Sequence, residues 1–199
     1  MDLHKFLRTR RSIRRFKPDP IPDSLIEDIL TTATFAPSAH NRQPWRFCVL
    51  RDGSIKTKLA DAMAIDFERD LEKDQLPQVE IQKRISRSRE RILTAPVVII
   101  LSVDMSDMDV YPDEKRNKAE YLMAVQSVAN AGMQMLLAAH AAGLGGVWVC
   151  SPLFVQGTIQ NVLELPKTWE PQAMLFVGYP RDIPETRARK SLDTIVIRR

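Results

Sequence analysis

Cysteine, histidine, aromatic residues and long apolar runs are all scarce in this chain of 199 residues. Its two cysteines, Cys48 and Cys150, lie in separate apolar contexts. A disulfide scaffold needs more of them, so reduced thiols and a cytoplasmic setting are expected. The three histidines are scattered, with no cysteine or second histidine at ligand spacing, and no metal site is expected. Aromatic residues make up 7% and do not interleave with the basic clusters as a base-stacking surface would require. A net charge of +4 is too small to argue otherwise, so nucleic acid is not an expected partner. The longest apolar stretches, at 97–101 and 133–142, are too short or too interrupted to cross a bilayer, and no membrane contact is expected. The N-terminus lacks the apolar core and cleavage site of a secretory signal.

What is present suits a packed core. Hydrophobic residues are 44% and charged residues 27%, within the range of folded globular chains. Residues 3–9 suit a short opening helix, and 17–22, with three prolines, an extended connector. Asp23 or Ser24 offers an N-cap for a helix whose apolar face is Leu25, Ile26, Ile29, Leu30 and Ala33. Residues 45–50 (WRFCVL) read as a strand, and 55–70 as a helix. The charged stretch 71–91, broken at Pro77, reads as helix on either side of the break and as a lid or excursion. Residues 96–103 (PVVIILSV) carry the continuous β-branched run of a strand buried on both faces. From about 118 to 142 runs a helix apolar nearly all round, expected to be central and buried, closing on Gly143. Residues 145–149 read as a strand, 153–163 as a helix, 173–177 as a strand and 191–197 as a final edge strand. There is no repeat or low-complexity linker, so one α+β domain over 1–199, with a possible excursion at 71–91, is the expectation.

Three segments can carry chemistry. Arg10, Arg11 and Arg14, with the Ser12 hydroxyl, offer donors that satisfy phosphate oxygens bidentately, and a solvated basic face is the alternative. Residues 36–45 (APSAHNRQPW) combine small residues, which let backbone approach a flat ligand, with amides that read donors and acceptors. An ordinary polar loop would look the same. Residues 143–151 (GLGGVWVCS) close a helix and open a strand, the reverse of a dinucleotide-binding glycine loop. No base lies near Cys150 in sequence to make it a nucleophile.

RRSIRRF (10–16), APSAHNRQPWRF (36–47), GLGGVWV (143–149) and RARK (187–190), in that order, resemble the FMN-dependent nitroreductase family along nearly the whole chain. More narrowly, RSRERILTAP (87–96), Tyr111-Pro112-Asp113 and Trp169-Glu170-Pro171 look like the C-terminal flavin domain of the deazaflavin-coenzyme gamma-glutamyl ligase. That enzyme's glutamate-ligating domain has no counterpart in these residues, so coenzyme maturation is not carried over.

The family resemblance implies an α+β fold with a central, mostly antiparallel sheet flanked by helices. It also implies an intertwined homodimer with FMN at the subunit interface. On that pattern Arg10, Arg11, Ser12 and Arg14 hold phosphate and ribityl oxygens, and Arg187 and Arg189 reach the same phosphate. Pro37, Ser38 and Ala39 line the flavin ring from the partner subunit, with Asn41 and Gln43 close by, and the Cys150-Ser151 backbone lies near the ring. The implied activity passes hydride from NADH or NADPH through FMN to a small-molecule acceptor such as a nitroaromatic or quinone, with no catalytic side chain. A reductase or binding protein for a deazaflavin coenzyme or its precursor, and a non-catalytic flavin-binding protein, are the alternatives.

Overall fold

A computed structural model describes residues 2–199. Its centre is a four-stranded antiparallel sheet in the order β1-β2-β4-β3, made of β1 (Trp45–Leu50), β2 (Val97–Asp104), β3 (Gly145–Val149) and β4 (Trp169–Gly178). All eight residues of β2 are buried, as its β-branched run requires of a strand covered on both faces. Alternate residues serve the two faces. Val97, Ile99, Leu101 and Val103 pack with α2 (Asp23–Ala33) and α5 (Glu114–Ala141). Val98 and Ile100 pack with α3 (Gly53–Lys73), α4 (Gln78–Thr94) and α6 (Gln156–Val162). The α+β expectation, a mostly antiparallel sheet flanked by helices, holds.

The N-terminal helix α1 (Leu3–Thr9) is capped by the Asp2 carboxylate, which accepts from the His4 N–H at 2.9 Å. The break in the charged stretch falls at Pro77, which stands at the N-cap of α4 after a turn with Gln75 at positive φ. There α3 and α4 form an antiparallel pair around Leu71, Ile81 and Ile85. Helix α5 ends on Gly143 at φ 75°, and the Leu144 N–H donates to the Ala139 carbonyl at 2.9 Å, closing the helix as expected of a glycine after the last turn.

Four expectations need correction. Neither Asp23 nor Ser24 caps α2: Pro22 holds that position, and Asp23 is already helical and ion-paired to Arg51. The helix expected at 153–163 is two pieces, a 3₁₀ turn at Ser151–Phe154 and then α6, because Val155 leaves helical geometry at φ −144°. No strand forms at 191–197; the segment is exposed, with only a 3₁₀ turn at Leu192–Thr194, since nothing in the same chain pairs with it. Finally, α5 is not buried all round. Its 28 residues are long and apolar enough to pass for a membrane span by composition, yet one stripe (Ala124, Val128, Ala131, Met135, Ala139) is wholly buried against the sheet. The opposite stripe, with Leu122, Gln126, Ala129 and Met133, is open.

Candidate functional site

Beyond α1 the chain turns extended at Arg10 and is laid along β3. Ser12 bridges Gly146 in parallel, and the Ile13 N–H donates to the Gly146 carbonyl at 3.1 Å. The Ile13 side chain is buried directly over Gly145, where even a Cβ would meet it. Extended backbone alternates its side chains, so with Ile13 turned inward, Ser12 and Arg14 flank it on the other side. A buried isoleucine inside a basic run thus aims the arginines.

Arg10 is half-buried, and three causes lower its pKa: burial first, then the guanidinium groups of Arg189 and Arg11. Arg11 is fixed by donating to the carbonyls of Arg8 at 2.7 Å and Arg10 at 2.9 Å, and to the Thr186 hydroxyl. The Arg181 N–H donates to the Arg15 carbonyl at 3.1 Å, so the exposed C-terminal segment runs back past the N-terminal arginines. Arg10, Arg11, Ser12 and Arg189 are therefore brought together. Arg187 is exposed, and among the described residues no hydrogen bond or ion pair ties it to that group. His140, stacked on Phe6 at 4.9 Å and 2.9 Å from the Thr9 hydroxyl, borders it and has a pKa lowered by burial, Arg10 and Arg11.

The third basic run, read from sequence only as part of a lid, joins the site. Burial, Arg87 and Arg14 all lower the Arg91 pKa, in that order, while Glu90 opposes them. Arg84, Arg87 and Arg91 line one side of a cavity of about 280 Å³ whose other walls include Phe67, Val149 and Ser151. A neighbouring cavity of about 400 Å³ shares Phe67, Ser88 and Ser151 and adds Met63, Phe154 and Cys150. The spacing of Arg84, Arg87 and Arg91 on one helical face was the available sequence signal. Cys150 is exposed, its sulfur accepting from the Trp148 indole N–H at 2.9 Å, and Ser151 is half-buried between the two cavities.

The 36–45 loop is pinned elsewhere on α5. The Ala39 N–H donates to the Ser127 hydroxyl at 3.1 Å, and the Asn130 amide donates to the Pro37 carbonyl at 3.3 Å. His40, Asn41 and Gln43 adopt positive φ, and the Gln43 N–H donates to the Ser38 hydroxyl at 3.1 Å. Among the described residues no hydrogen bond, ion pair or cavity joins Pro37, Ser38, Ala39, Asn41 or Gln43 to Arg10, Arg11, Ser12 or Arg14. A single chain leaves the two halves of the expected site apart.

The nitroreductase family profile matches residues 7–179, which takes in the arginine segment, the 36–45 loop and the glycine turn. The chain belongs to the nitroreductase family. It is an oxidoreductase of that family. It is 30% identical over 202 aligned positions to the iodotyrosine deiodinase of Drosophila melanogaster, covering 98% of this chain and 69% of that one. It is 28% identical to the NADH dehydrogenase of Thermus thermophilus, covering 94% and 91%. Among solved structures, a BluB-like flavoprotein from Clostridium difficile superposes with a TM-score of 0.81 at 23% identity over 99% of this chain and 98% of the other. A nitroreductase-type protein from Desulfovibrio desulfuricans, in complex with FMN, gives 0.76 at 25% identity over 100% and 97%.

Within this nitroreductase, no group of three or more metal-ligating side chains occurs among the described residues. The chemistry on offer is cationic: two foci of arginine, one at Arg10, Arg11 and Arg189, the other at Arg14, Arg87 and Arg91.

Proposed function

We propose that this chain is a cytoplasmic FMN-dependent oxidoreductase that moves hydride from NADH or NADPH to an oxidised acceptor such as a nitroaromatic or quinone. The observation that carries the reading is the convergence of Arg10, Arg11 and Arg189 beside Ser12; burial first, and then the Arg189 and Arg11 guanidinium groups, lower the Arg10 pKa, with no carboxylate among the causes. Cations that crowd one another in this way create a strong local demand for an anion. A phosphate monoester, with close to two negative charges and several acceptor oxygens, answers that demand through guanidinium forks and the Ser12 hydroxyl. The donor set therefore fits FMN. Arg187 adds a further cation from the same C-terminal segment.

When bound, FMN supplies the hydride-accepting and hydride-donating chemistry. The chain's own residues position it and set the field. Arg14 would join Arg10, Arg11 and Ser12 in holding phosphate and ribityl oxygens, and Arg91, beside Arg14, would stabilise negative charge on the reduced ring. The Cys150-Ser151 backbone would border the ring, and Ser151 lines both cavities beside α4. The balance with a nitroaromatic is ArNO2 + NAD(P)H + H+ giving ArNO + NAD(P)+ + H2O; a quinone takes the same hydride and proton to become a hydroquinone.

The site is completed in a homodimer, with Pro37, Ser38 and Ala39 of the partner subunit on the flavin ring and Asn41 and Gln43 of the partner subunit close by. Two features support this. The open stripe of α5 exposes Leu122 at 50% and Met133 at 47%, next to the loop that carries those residues. The C-terminal segment leaves Ile183, Leu192, Ile195 and Ile197 uncovered, at 59% or more exposure each. Such apolar surface on a single chain supports an interface there.

Purified protein with FMN should be yellow and should bleach anaerobically on addition of NADH or NADPH, regaining colour with a quinone or nitroaromatic. Protein that ignores added FMN would overturn the cofactor assignment, and bound FMN that neither nicotinamide bleaches would overturn the donor. A deazaflavin coenzyme or its precursor is the second reading, favoured by the free arginines of α4, and direct titration with a deazaflavin tests it.

A further inference from the structure

The arginine face of α4 does more than the cofactor needs. Arg91 stands beside Arg14 at the cofactor end of the smaller cavity. Seven residues of helix separate Arg84 from Arg91, about 10 Å along the axis. Arg87 stands one turn from Arg91 and Arg84 nearly a turn further, so Arg84 and Arg87 extend the basic lining of the cavity away from the Arg14 end, with Phe67 in the same lining. The ion pairs of this helix go elsewhere: Glu80 takes Lys83 and Arg84, and Asp61 takes Arg89. Among the described residues no carboxylate pairs with Arg87 or Arg91. Arg87 and Arg91, four apart on one helical face, repel each other, and their uncompensated charge at a cavity calls for an anion in it.

The adjoining cavity supplies the rest of the occupant. Met63, Phe67, Phe154 and Val155 give it an apolar wall, and Asp70 and Asp74 line it toward the C-terminal end of α3. Asp70 is engaged by Lys73 at 3.2 Å, while Asp74 presents a negative charge that repels an anion at that end. The arginines thus line one of the two adjoining spaces and the carboxylates the other, with Phe67 in both linings. Ser88, in both linings, offers a hydroxyl at the junction.

We infer that this compartment is the acceptor site and that it selects planar acceptors bearing a carboxylate, with Arg87 and Arg84 holding the anionic group and Phe67 packing on the ring. The inference rests on the flavin-oxidoreductase reading and names its substrate class. Arg87 is the principal anion ligand, because Glu80 already shares Arg84.

The test uses the FMN-loaded enzyme and a matched pair of probes, 4-nitrobenzoate and its neutral methyl ester. Reduction of the bound flavin by the nicotinamide is followed first and separately, so failure at that step refutes the oxidoreductase reading itself. In the second half-reaction the acid should be preferred over the ester in kcat/KM by about tenfold, the scale of one charge-assisted hydrogen bond. Arg87→Ala should collapse that preference through KM, and Arg87→Lys should restore part of it. Non-reducible benzoate, titrated calorimetrically, should bind the enzyme and lose about tenfold in affinity in Arg87→Ala. Equal use of acid and ester by an enzyme whose flavin reduces normally would overturn the inference. So would an Arg87→Ala enzyme that keeps its acid preference and instead loses discrimination between NADPH and NADH, which would assign the arginines to the donor's phosphate.

Discussion

Gly145→Ala should damage both the fold and the cofactor site, because one contact serves both. A Cβ at residue 145 would lie 2.6 Å from the Ile13 Cβ and 2.9 Å from its Cγ2. The first of these is the root of the side chain, so no change of Ile13 rotamer relieves it. The backbone around Ile13 must move away from β3, against the Ile13 N–H to Gly146 hydrogen bond of 3.1 Å. Overpacking of this kind costs about 1–3 kcal/mol. For a chain of this size each kcal/mol lowers Tm by about 2–4 °C. Arg10, Ser12 and Arg14 ride on the same extended segment, so its displacement should also weaken FMN by roughly tenfold, the loss of about one charge-assisted hydrogen bond. Thermal unfolding and fluorescence titration with FMN measure the two effects. Gly157, with nothing within 4 Å of its hypothetical Cβ, is the control, and Gly157→Ala should change stability by no more than about 1 kcal/mol. The double variant Ile13→Ala/Gly145→Ala should be less destabilised than the sum of its singles, since one change makes room for the other. A Gly145→Ala protein with wild-type Tm and FMN affinity would refute the reasoning.

Three further outcomes follow from the same geometry. Gly132→Ala places a Cβ 2.6 Å from Leu101 Cδ2 and 3.1 Å from Trp148 Cε3, so overpacking of about 1–3 kcal/mol should exceed the roughly 1 kcal/mol that alanine gains in a helix. Urea unfolding should show a lower midpoint with an unchanged slope. Arg10→Ala removes one of the crowded cations, so the FMN-free protein should melt no lower than wild type while the stabilisation added by FMN shrinks. A lower apo Tm with an undiminished FMN shift would contradict the phosphate role. His140 has its pKa lowered by burial, Arg10 and Arg11, so its neutral form is favoured in the folded state. Its contribution to stability is present above the unfolded histidine pKa, about 6.5, and is lost as pH falls through the lower folded value. Stability of the FMN-free protein against urea should accordingly decline on acidification, and His140→Asn should flatten that decline.

Much of the fold was legible because local patterns and final environments agree. The β-branched run at β2 is uninterrupted, and both faces of that strand are covered. Gly143 follows the last turn of α5, and it takes the positive φ that only glycine adopts without strain. Pro77 divides two helices, as a residue without an N–H must. The 191–197 segment shows the opposite case. Its β-branched residues, Thr194, Ile195, Val196 and Ile197, suit a strand, yet a strand needs a neighbour, and none is supplied by the same chain.

The sequence by itself determined the order of the arginine, polar-loop and glycine segments, and hence the family. Only the tertiary structure decided which charges meet. Arg189 reaches Arg10 because the tail folds back past Arg15, and Arg91 nears Arg14 because the C-terminal end of α4 packs on the sheet face beside Val149, Met174 and Phe176. Composition had left the α4 arginines as part of a charged lid or excursion. It likewise left α5 as a helix buried all round, whereas packing covers one stripe and leaves another open. The physical reason is range. Propensity, capping and periodicity act over a few residues, while the field at a guanidinium is the sum of charges that folding gathers from distant parts of the chain.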